Sequence, residues 1–300
     1  MRTEKPIVIG VGELLWDLFP TGKRVGGAPA NFTFHAQQLG ARGYIISVVG
    51  NDDNGNQILK LLIQKGMNVD FIAQLDKIPT GTVTVLLDTN GIPAYSIHEN
   101  VAWDYIPSDP SVYPILENAA AFCFGTLAQR NAGSLSAIQS FLKILPASCL
   151  IVFDANLRQH YFTKDLIESS LEYATILKLN EEELSVISAM LEVKGPEEDQ
   201  LKFLLKTYNL QLIALTKGVS GSLLYSGKEA SRLKTPKVKV ADTVGAGDAF
   251  TAALIISILN GLPLGTVHQN AVNVSAFVAS RNGGMPDLSK KILDRFISNN

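Results

Sequence analysis

Short apolar runs alternate with helix-length segments along most of the chain, and this rhythm restricts the possible folds more than any other feature. Runs typical of buried strands lie at 6–12, 44–50, 119–125, 149–156, 174–180 and 210–218. Segments typical of helices lie at 28–40, 54–66, 249–261 and 270–283. Strands that are apolar on both faces need helices on both sides of their sheet. The alternation therefore predicts an α/β fold with a parallel sheet between helices.

Two segments interrupt this rhythm with strand-like sequence that has no helices of its own. They lie at 13–27 and 71–99, and Asn90-Gly91 between two β runs of the second segment indicates a hairpin. We therefore expect an α/β core formed by 1–12, 28–70 and 100–300, and a small β element formed by 13–27 and 71–99. The β element could act as a lid or as a contact between subunits.

Charge and composition exclude several classes of protein. The 26 basic and 28 acidic residues give a net charge of −2, so nucleic acid is not an expected partner. No apolar stretch is long enough to cross a bilayer and the first residues lack a signal pattern, so we expect a cytoplasmic protein without a membrane partner. Cys123 and Cys149 lie in apolar runs and are predicted to be buried free thiols. No histidine or cysteine pair has the spacing of a zinc site.

The segment DTVGAGDAF at 242–250 directly precedes a long apolar run predicted as a helix. Gly245 and Gly247 allow a ligand to approach the backbone closely. The free amides and the positive dipole end of a helix N-terminus form an anion site suited to phosphate. Asp248 falls in the first turn, where the same field should lower its pKa. Acidic residues also stabilise first turns by about 0.3–1 kcal/mol, so this segment alone leaves a purely structural role open.

Two further segments offer groups that could bind a polar ligand. GGAPAN at 26–31 joins the small β element to the first core helix, and Asn31 provides both a donor and an acceptor. Asp17 lies in an otherwise apolar segment, where an unpaired buried acid would be costly. Each segment also has a simpler interpretation: GGAPAN as an ordinary loop-to-helix turn, and Asp17 as a solvent-facing side chain.

Taken together, GGAPAN and DTVGAGDAF resemble the two signatures of the ribokinase-like (PfkB-type) carbohydrate kinases, in the order in which that family carries them. The similarity covers essentially the whole chain. It implies a doubly wound, mostly parallel sheet flanked by helices, with a small β-sheet lid. It also implies an enzyme that transfers the γ-phosphoryl group of ATP to a sugar hydroxyl.

The resemblance implies roles in catalysis and sugar binding for residues that match the family's motifs. Asp248 corresponds to the base that takes the proton of the sugar hydroxyl, and Gly245, Ala246 and Gly247 correspond to the anion hole. The residues expected to contact the sugar are Asp17, Gly26, Gly27, Asn31 and Arg158. Arg158 could bind a hydroxyl, a phosphate or a carboxylate, or be an ordinary loop arginine.

The resemblance also implies sites for ATP, Mg²⁺ and a monovalent cation such as K⁺. The residues that match the nucleotide motifs are Asn180, Thr216, Gly218, Gly221 and Asn273. Glu183 would hold Mg²⁺ through water, and Asp242 and Thr243 would be the candidates for the monovalent cation. Lys217, within the loop TKGVSG, could contact a phosphate or pair with an acidic residue.

The sugar itself is less closely specified. GGAPANFT and GELLWDLFP are similar to bacterial fructokinases, whereas ribokinases usually carry GGKGANQA, so fructose is the predicted substrate. Kinases for 2-keto-3-deoxygluconate or ribose remain alternatives, and a non-catalytic sugar sensor is a remoter one. GVGELL lacks the third glycine of GxGxxG and no GxxxxGK[ST] is present, which disfavours a Rossmann dehydrogenase and a P-loop kinase. Exposed edges of the β element suggest a homodimer.

Overall fold

The computed structural model describes residues 4–87 and 93–297. Its strands are β1 (Ile7–Val11), β2 (Leu15–Phe19), β3 (Gly22–Gly26), β4 (Arg42–Gly50), β5 (Ile72–Leu75), β6 (Gly81–Leu87), β7 (Pro93–Ile97), β8 (Ala119–Phe124), β9 (Leu150–Asp154), β10 (Ile176–Asn180), β11 (Leu212–Thr216), β12 (Ser222–Tyr225) and β13 (Ala230–Leu233). Its α-helices are α1 (Ala28–Gln38), α2 (Asp53–Gln64), α3 (Tyr113–Glu117), α4 (Ala132–Leu142), α5 (Lys164–Tyr173), α6 (Glu181–Met190), α7 (Glu197–Thr207), α8 (Ala246–Leu259), α9 (Leu264–Ala279) and α10 (Lys290–Ile297).

The apolar runs predicted as buried strands form most of one large sheet, in the order β13-β12-β11-β10-β9-β8-β1-β4-β5. Neighbouring strands from β11 to β5 are parallel, and β12 and β13 extend one edge in antiparallel fashion. From β1 the sheet grows first on one side, through β4 and β5, and then on the other side, through β8 to β11. The predicted doubly wound, mostly parallel sheet is therefore confirmed.

Helices cover both faces of this sheet, because the strands expose apolar side chains on each. On one face, Val8 and Val152 pack in a cluster with Phe32 of α1 and Ile255 of α8. On the other face, Phe122 and Phe153 pack with residues of α4 and α5. Every residue of α8 from Ala249 to Ser257 is buried, so this helix has no polar face. Its N-terminus is consequently held in a fixed position.

The small β element is a separate four-stranded sheet, in the order β3-β2-β6-β7. β2 pairs with β3 in antiparallel fashion and with β6 in parallel fashion. β6 and β7 pair in antiparallel fashion, and the predicted hairpin at Asn90-Gly91 lies outside the described residues. We call this small sheet the lid sheet.

One part of the expected division of the chain is wrong. β5 lies within the predicted lid segment 71–99, but it pairs with β4 and forms the edge of the large sheet. Only Ile72 of its four residues is buried, and Gln74 is exposed, as expected of a short strand with one neighbour. Residues 72–75 therefore belong to the core, and the lid sheet takes only β6 and β7 from this segment.

Two smaller expectations are also resolved. Cys123 and Cys149 are free and buried, as predicted. Among the described residues, no helix is long and apolar enough to cross a membrane.

Candidate active site

A cleft lies where the lid sheet faces the carboxyl ends of the large sheet's strands. Ligands of doubly wound sheets bind at this edge, beside the point where the strand order reverses, which here is between β1 and β8. The cleft encloses a cavity of about 640 Å³. Sequence-predicted residues that line it are Asp17, Gly27, Asn31, Arg158, Asn180, Glu183, Thr243, Gly245, Gly247 and Asp248. The structure therefore gathers most of the predicted site in one cavity.

The N-terminus of α8 forms one wall of the cavity. Gly245 caps the helix in a left-handed conformation with φ of 74°, which favours glycine. A Cβ atom there would lie 2.5 Å from the Cα of Gly284 in a neighbouring loop. A Cβ at Gly247 would come within 3.2 Å of the Lys178 ammonium nitrogen. Both glycines thus permit close packing around the first turn of α8.

Asp248 lies in the first turn of α8 and meets Asn31 of α1 across the cavity wall. Nδ2 of Asn31 donates a hydrogen bond of 2.8 Å to Oδ2 of Asp248. Oδ1 of the same amide is buried and has no hydrogen-bond partner among the described residues. One hydroxyl of a ligand in the cavity could donate a hydrogen bond to that oxygen while a second hydroxyl donates to Asp248.

The expected lowering of the Asp248 pKa is wrong. Burial raises the pKa of this carboxyl to about 6, and the nearby Asp154 raises it further, while the Asn31 hydrogen bond lowers it. The helix field was expected to dominate, but enclosure by the protein disfavours the charged form more strongly. Asp248 is still mostly ionised at neutral pH, as a proton acceptor must be.

Sequence analysis missed a buried ion pair behind the anion hole. Nζ of Lys178 lies 2.9 Å from Oδ1 of Asp154, and Thr251 donates a hydrogen bond to Oδ2 of the same aspartate. Burial lowers the pKa of Lys178, but Asp154 and Glu183 raise it more, so the net shift is upward and the ammonium stays charged. The signal was present in the sequence, because each residue is a charge within an otherwise apolar strand.

Asp17 of β2 approaches the same cavity from the lid sheet. The side chain is half-buried, and burial raises its pKa to about 6, while Arg158 and Arg24 lower it. Arg158 lines the cavity and is exposed to solvent. Gly26 does not line the cavity, but a Cβ on it would collide with the Asp17 carboxylate. Gly27 has φ of 122°, and a Cβ there would strike the Glu13 carbonyl.

Glu13, two residues after the end of β1, is a site residue that was not predicted from the sequence. It lines the main cavity and a second cavity of about 20 Å³ that also touches Asp248 and Asp154. Its Oε1 accepts a hydrogen bond of 3.1 Å from the amide of Ala28. Burial raises the pKa of Glu13 to about 7, and the charge of Asp248 adds to this rise. An acid immediately after an apolar strand was the available signal.

Asn180 and Glu183 sit at the start of α6 and hold each other in a capping box. Oδ1 of Asn180 accepts from the Glu183 amide at 2.9 Å, and Oε2 of Glu183 accepts from the Asn180 amide at 2.8 Å. Oε1 of Glu183 accepts from Leu157. Glu183 lines the cavity, and each of its carboxylate oxygens can accept a further hydrogen bond, for example from a water molecule.

The remaining predicted nucleotide residues lie outside that cavity, beyond β10. Thr216 ends β11, Gly218 begins a short 3₁₀ turn, and Gly221 adopts φ of 123° against the backbone of Leu233. Asn273 of α9 accepts a hydrogen bond from Gln269. Lys217 does not face the cavity, because it forms ion pairs with Glu197 and Glu181.

Asp242, a candidate ligand of a monovalent cation, already accepts hydrogen bonds from several donors. Oδ2 lies 2.7 Å from Nη1 of Arg24 on the lid sheet and accepts from the Gly283 amide at 3.1 Å. Oδ1 accepts from the Val244 amide at 3.0 Å. Thr243 lines the cavity beside it. The carboxylate therefore has little capacity left for a further cation.

Comparison with known proteins places the whole architecture in one family. A family model described as pfkB family carbohydrate kinase matches residues 12–291. A sugar kinase of Pyrococcus horikoshii is 30% identical over 297 residues, which cover 92% of this chain and 91% of that protein. The crystal structure of this uncharacterized sugar kinase in complex with ATP has a TM-score of 0.84 and 29% identity, and the match covers 98% of each chain.

Further similar proteins bear more specific names. The ATP-dependent 6-phosphofructokinase of Thermoanaerobacterium thermosaccharolyticum is 26% identical over 298 residues, 94% of this chain and 90% of that protein. Fructokinase-2 of Solanum habrochaites is 25% identical over 274 residues, 85% and 82% of the two chains. A crystal structure of a Xylella fastidiosa fructokinase with bound ATP has a TM-score of 0.85 at 19% identity, covering 98% of this chain and 99% of that one, and supports the ribokinase-like fold alone. This chain belongs to the pfkB family and is a carbohydrate kinase.

Proposed function

We propose that this kinase transfers the γ-phosphoryl group of ATP to a hydroxyl of a monosaccharide, with fructose as the preferred sugar and Asp248 as the general base. The observation that carries the proposal is the Asn31–Asp248 pair at the start of α8, with an unpartnered buried oxygen beside an ionised carboxylate. A sugar hydroxyl there would meet the base and the anion-binding amides at once.

The groups around Asp248 suit phosphoryl transfer, which needs alignment and charge neutralisation more than covalent chemistry. The amides at 245–247 would bind the oxygens of the transferring group at the positive end of α8. Lys178 would add a fixed positive charge close to Gly247. The lid sheet would exclude water from the cavity, since hydrolysis of ATP competes with transfer.

Asn180 and Glu183 are the proposed contacts for Mg²⁺ through water, and the segment from Thr216 to Gly221 is proposed to face the nucleotide phosphates. Mg²⁺ would neutralise phosphate charge when bound. Asn273 on α9 is proposed to lie near the adenosine part. Asn180 and Thr216 end the neighbouring strands β10 and β11, whereas α9 contacts β12 and β13.

The proposed sugar contacts are Asp17, Asn31 and Arg158, which line the same cavity as Asp248. An acid and an amide can hold vicinal hydroxyls by accepting and donating hydrogen bonds. Fructose is favoured by the sequence of the GGAPAN segment and by relatives named fructokinase. The cavity also contains Glu13, which would contribute a further hydrogen-bonding group at the sugar.

The test is ATP consumption with a panel of sugars, each with and without Mg²⁺. The panel contains fructose, ribose, 2-keto-3-deoxygluconate and fructose 6-phosphate, the last because one relative is named a 6-phosphofructokinase. Fructose should give the highest kcat/KM, and a tenfold preference for another sugar would contradict the substrate assignment. Phosphorus–carbon couplings in the NMR spectrum of the product then identify the phosphorylated hydroxyl, C6 or C1.

Asp248→Asn is the matching test of the base. The substitution keeps the shape of the side chain and removes the proton acceptor, so kcat should fall by about 100- to 10,000-fold. The thermal unfolding midpoint should change little. Turnover close to that of the unaltered enzyme would exclude Asp248 as the base.

We further propose a homodimer that uses the lid sheet. Within residues 4–87 and 93–297, no further strand pairs with the outer strands β3 and β7, and such edges favour pairing with another chain. Light scattering after size-exclusion chromatography measures the mass in solution. A monomer at micromolar concentration would contradict this proposal.

A further inference from the structure

Arg24 connects the lid sheet to the loop that leads into the anion hole. Its Nη1 lies 2.7 Å from Oδ2 of Asp242, although 218 positions separate the two residues in sequence. Arg24 sits on β3 directly opposite Asp17 of β2, and its guanidinium lies 5.0 Å from the centre of the Phe19 ring. β2, which carries the proposed sugar contact Asp17, is therefore paired with β3, whose Arg24 forms an ion pair with Asp242.

Asp242 in turn fixes the backbone around the anion hole. One carboxylate oxygen accepts from the Val244 amide and the other from the Gly283 amide, which joins the loop before α8 to the loop after α9. The next residue, Gly284, packs against Gly245 and against the Asn31 amide. A shift of the Asp242 carboxylate would consequently move both the anion-hole backbone and the partner of Asp248.

The charge of Asp242 also needs compensation at this position. An ionised carboxylate just before a backbone segment proposed to bind phosphate oxygens would repel them. The Arg24 guanidinium offsets this charge by direct contact. The side chain of Arg24 is 44% exposed and that of Asp242 is 14% exposed, so the ion pair contributes little to global stability.

We propose that Arg24 is a positioning residue of this kinase, one that neutralises Asp242 and couples the position of the lid sheet to the geometry of the anion hole. The inference rests on the proposed phosphoryl-transfer role of the loop at 242–248. Since the guanidinium already supplies positive charge at Asp242, the residues there do not fit a second cation. The kinase should therefore work without a monovalent cation such as K⁺.

Arg24→Met is the main test, with Lys23→Met as the matched control. Lys23 is the neighbouring cation on β3, but it contacts Asn54 and the Trp16 ring rather than Asp242. Loss of Arg24 should lower kcat by about 10- to 100-fold, as expected for one charge-assisted contact, and change KM for the sugar less. Lys23→Met should stay within about twofold, and Arg24→Lys should recover part of the loss because its charge reaches the same carboxylate.

A double substitution separates charge compensation from general damage. Because Asp242→Asn removes the charge that Arg24 offsets, adding Arg24→Met to it should cost less than about twofold more. Multiplied losses in the double variant would overturn the proposal, as would equal kcat values for Arg24→Met and Lys23→Met. Thermal unfolding checks that each variant is folded.

The cation arm compares activity in potassium salts with activity in tetramethylammonium salts at equal ionic strength. Equal rates are expected, and a large loss without K⁺ would show that Arg24 does not replace the cation. These outcomes are distinct from failure of the proposed function. A chain that phosphorylates no sugar would refute that function, whereas an active kinase insensitive to Arg24→Met would refute this inference alone.

Discussion

At the scale of single residues, the site is defined by carboxyl groups that burial affects unequally. Burial raises the pKa of Asp248 and Asp17 to about 6 and that of Glu13 to about 7. All three line one cavity, and the charge of Asp248 adds to the rise in the pKa of Glu13. A carboxyl with a lower pKa is ionised in a larger fraction of molecules at neutral pH, and only the ionised form can accept a proton. The lower pKa of Asp248 therefore favours it over Glu13 as the base.

The pH dependence of kcat/KM should reflect this order. Asp248 must be ionised to accept a proton, and Asp17 must be ionised to accept hydrogen bonds from the sugar. Activity should therefore fall as pH decreases through about 6, more steeply than loss of a single proton would give. Initial rates between pH 5 and 8 measure the profile, and Asp17→Asn should reduce the steepness. A midpoint near 7 would instead indicate that Glu13 is the essential group.

Glu13→Gln tests the remaining carboxyl. Glutamine resembles the protonated side chain and still accepts from the Ala28 amide, so the acid limb near pH 6 should stay in place. Folded Glu13 keeps its proton between pH 4.5 and about 7, where the unfolded chain has released it. The free energy of unfolding of the natural chain thus falls as pH rises through this window.

Glu13→Gln should remove the contribution of Glu13 to this decrease in the free energy of unfolding, because glutamine does not ionise. The rise of the Glu13 pKa from 4.5 to about 7 corresponds to roughly 3 kcal/mol. Urea unfolding at pH 5 and at pH 8 measures the difference between the two proteins. A variant less stable than the natural chain at pH 8 would contradict this account, since burial of the ionised group would then cost nothing.

At the scale of elements, strands with buried faces on both sides were the part of the fold that sequence could predict. β1, β8, β9, β10 and β11 fall within the predicted runs, because each consists almost entirely of apolar residues. β4 begins at Arg42, two residues before its predicted run at 44–50. β5 was assigned to the wrong sheet because its short edge position leaves only a weak pattern. α9 begins at Leu264 rather than at 270, since Pro263 sets its start.

The site shows the same division between local and distant information. Gly245, Asp248, Gly27 and Asn31 belong to contiguous segments that a sequence motif can identify. The Lys178–Asp154 and Arg24–Asp242 ion pairs join residues of distant segments. The charged residues are visible in the sequence, but their partners could be identified only once the arrangement of the segments was known. The pKa of Asp248 was predicted in the wrong direction for a related reason, because burial depends on which elements enclose the carboxyl.

The start of α8 gives a prediction at this scale. Gly245→Ala would place a methyl group against Gly284 and force a residue with a side chain into positive φ. Positive φ costs about 1–2 kcal/mol, and the collision with Gly284 adds to that cost. We expect a lower unfolding midpoint together with a large loss of kcat, because the anion-hole amides would move.

Gly261→Ala is the matched control for that substitution. Gly261 follows the other end of α8 with φ of 70°, but no atom lies within 4 Å of its Cβ position. It should lose stability through backbone strain alone and keep its kcat. Equal losses of kcat in the two variants would show that strain, rather than displacement of the anion hole, lowers activity.

At the scale of the whole molecule, the two sheets differ in how firmly they are held. The large sheet is buried between helices on both faces, whereas the lid sheet has four strands and faces the cavity without helices of its own. Its polar links to the core include the Arg24–Asp242 ion pair and the hydrogen bonds that Trp16 and Lys23 donate to Asn54. A sheet of this kind opens locally at a lower free energy than a packed core does.

Hydrogen exchange followed by mass spectrometry should detect this difference and its response to ligands. Amides of β2 and β3 should exchange faster than those of β9 and β10 in the free protein, because fewer buried contacts oppose local opening. Fructose together with a non-hydrolysable ATP analogue should slow exchange in β2 and β3, since the sugar would bridge Asp17 and the core. Asp17→Ala should abolish that protection while leaving β9 and β10 unchanged. Unaltered exchange of the lid sheet in the presence of both ligands would contradict the proposed closure over the sugar.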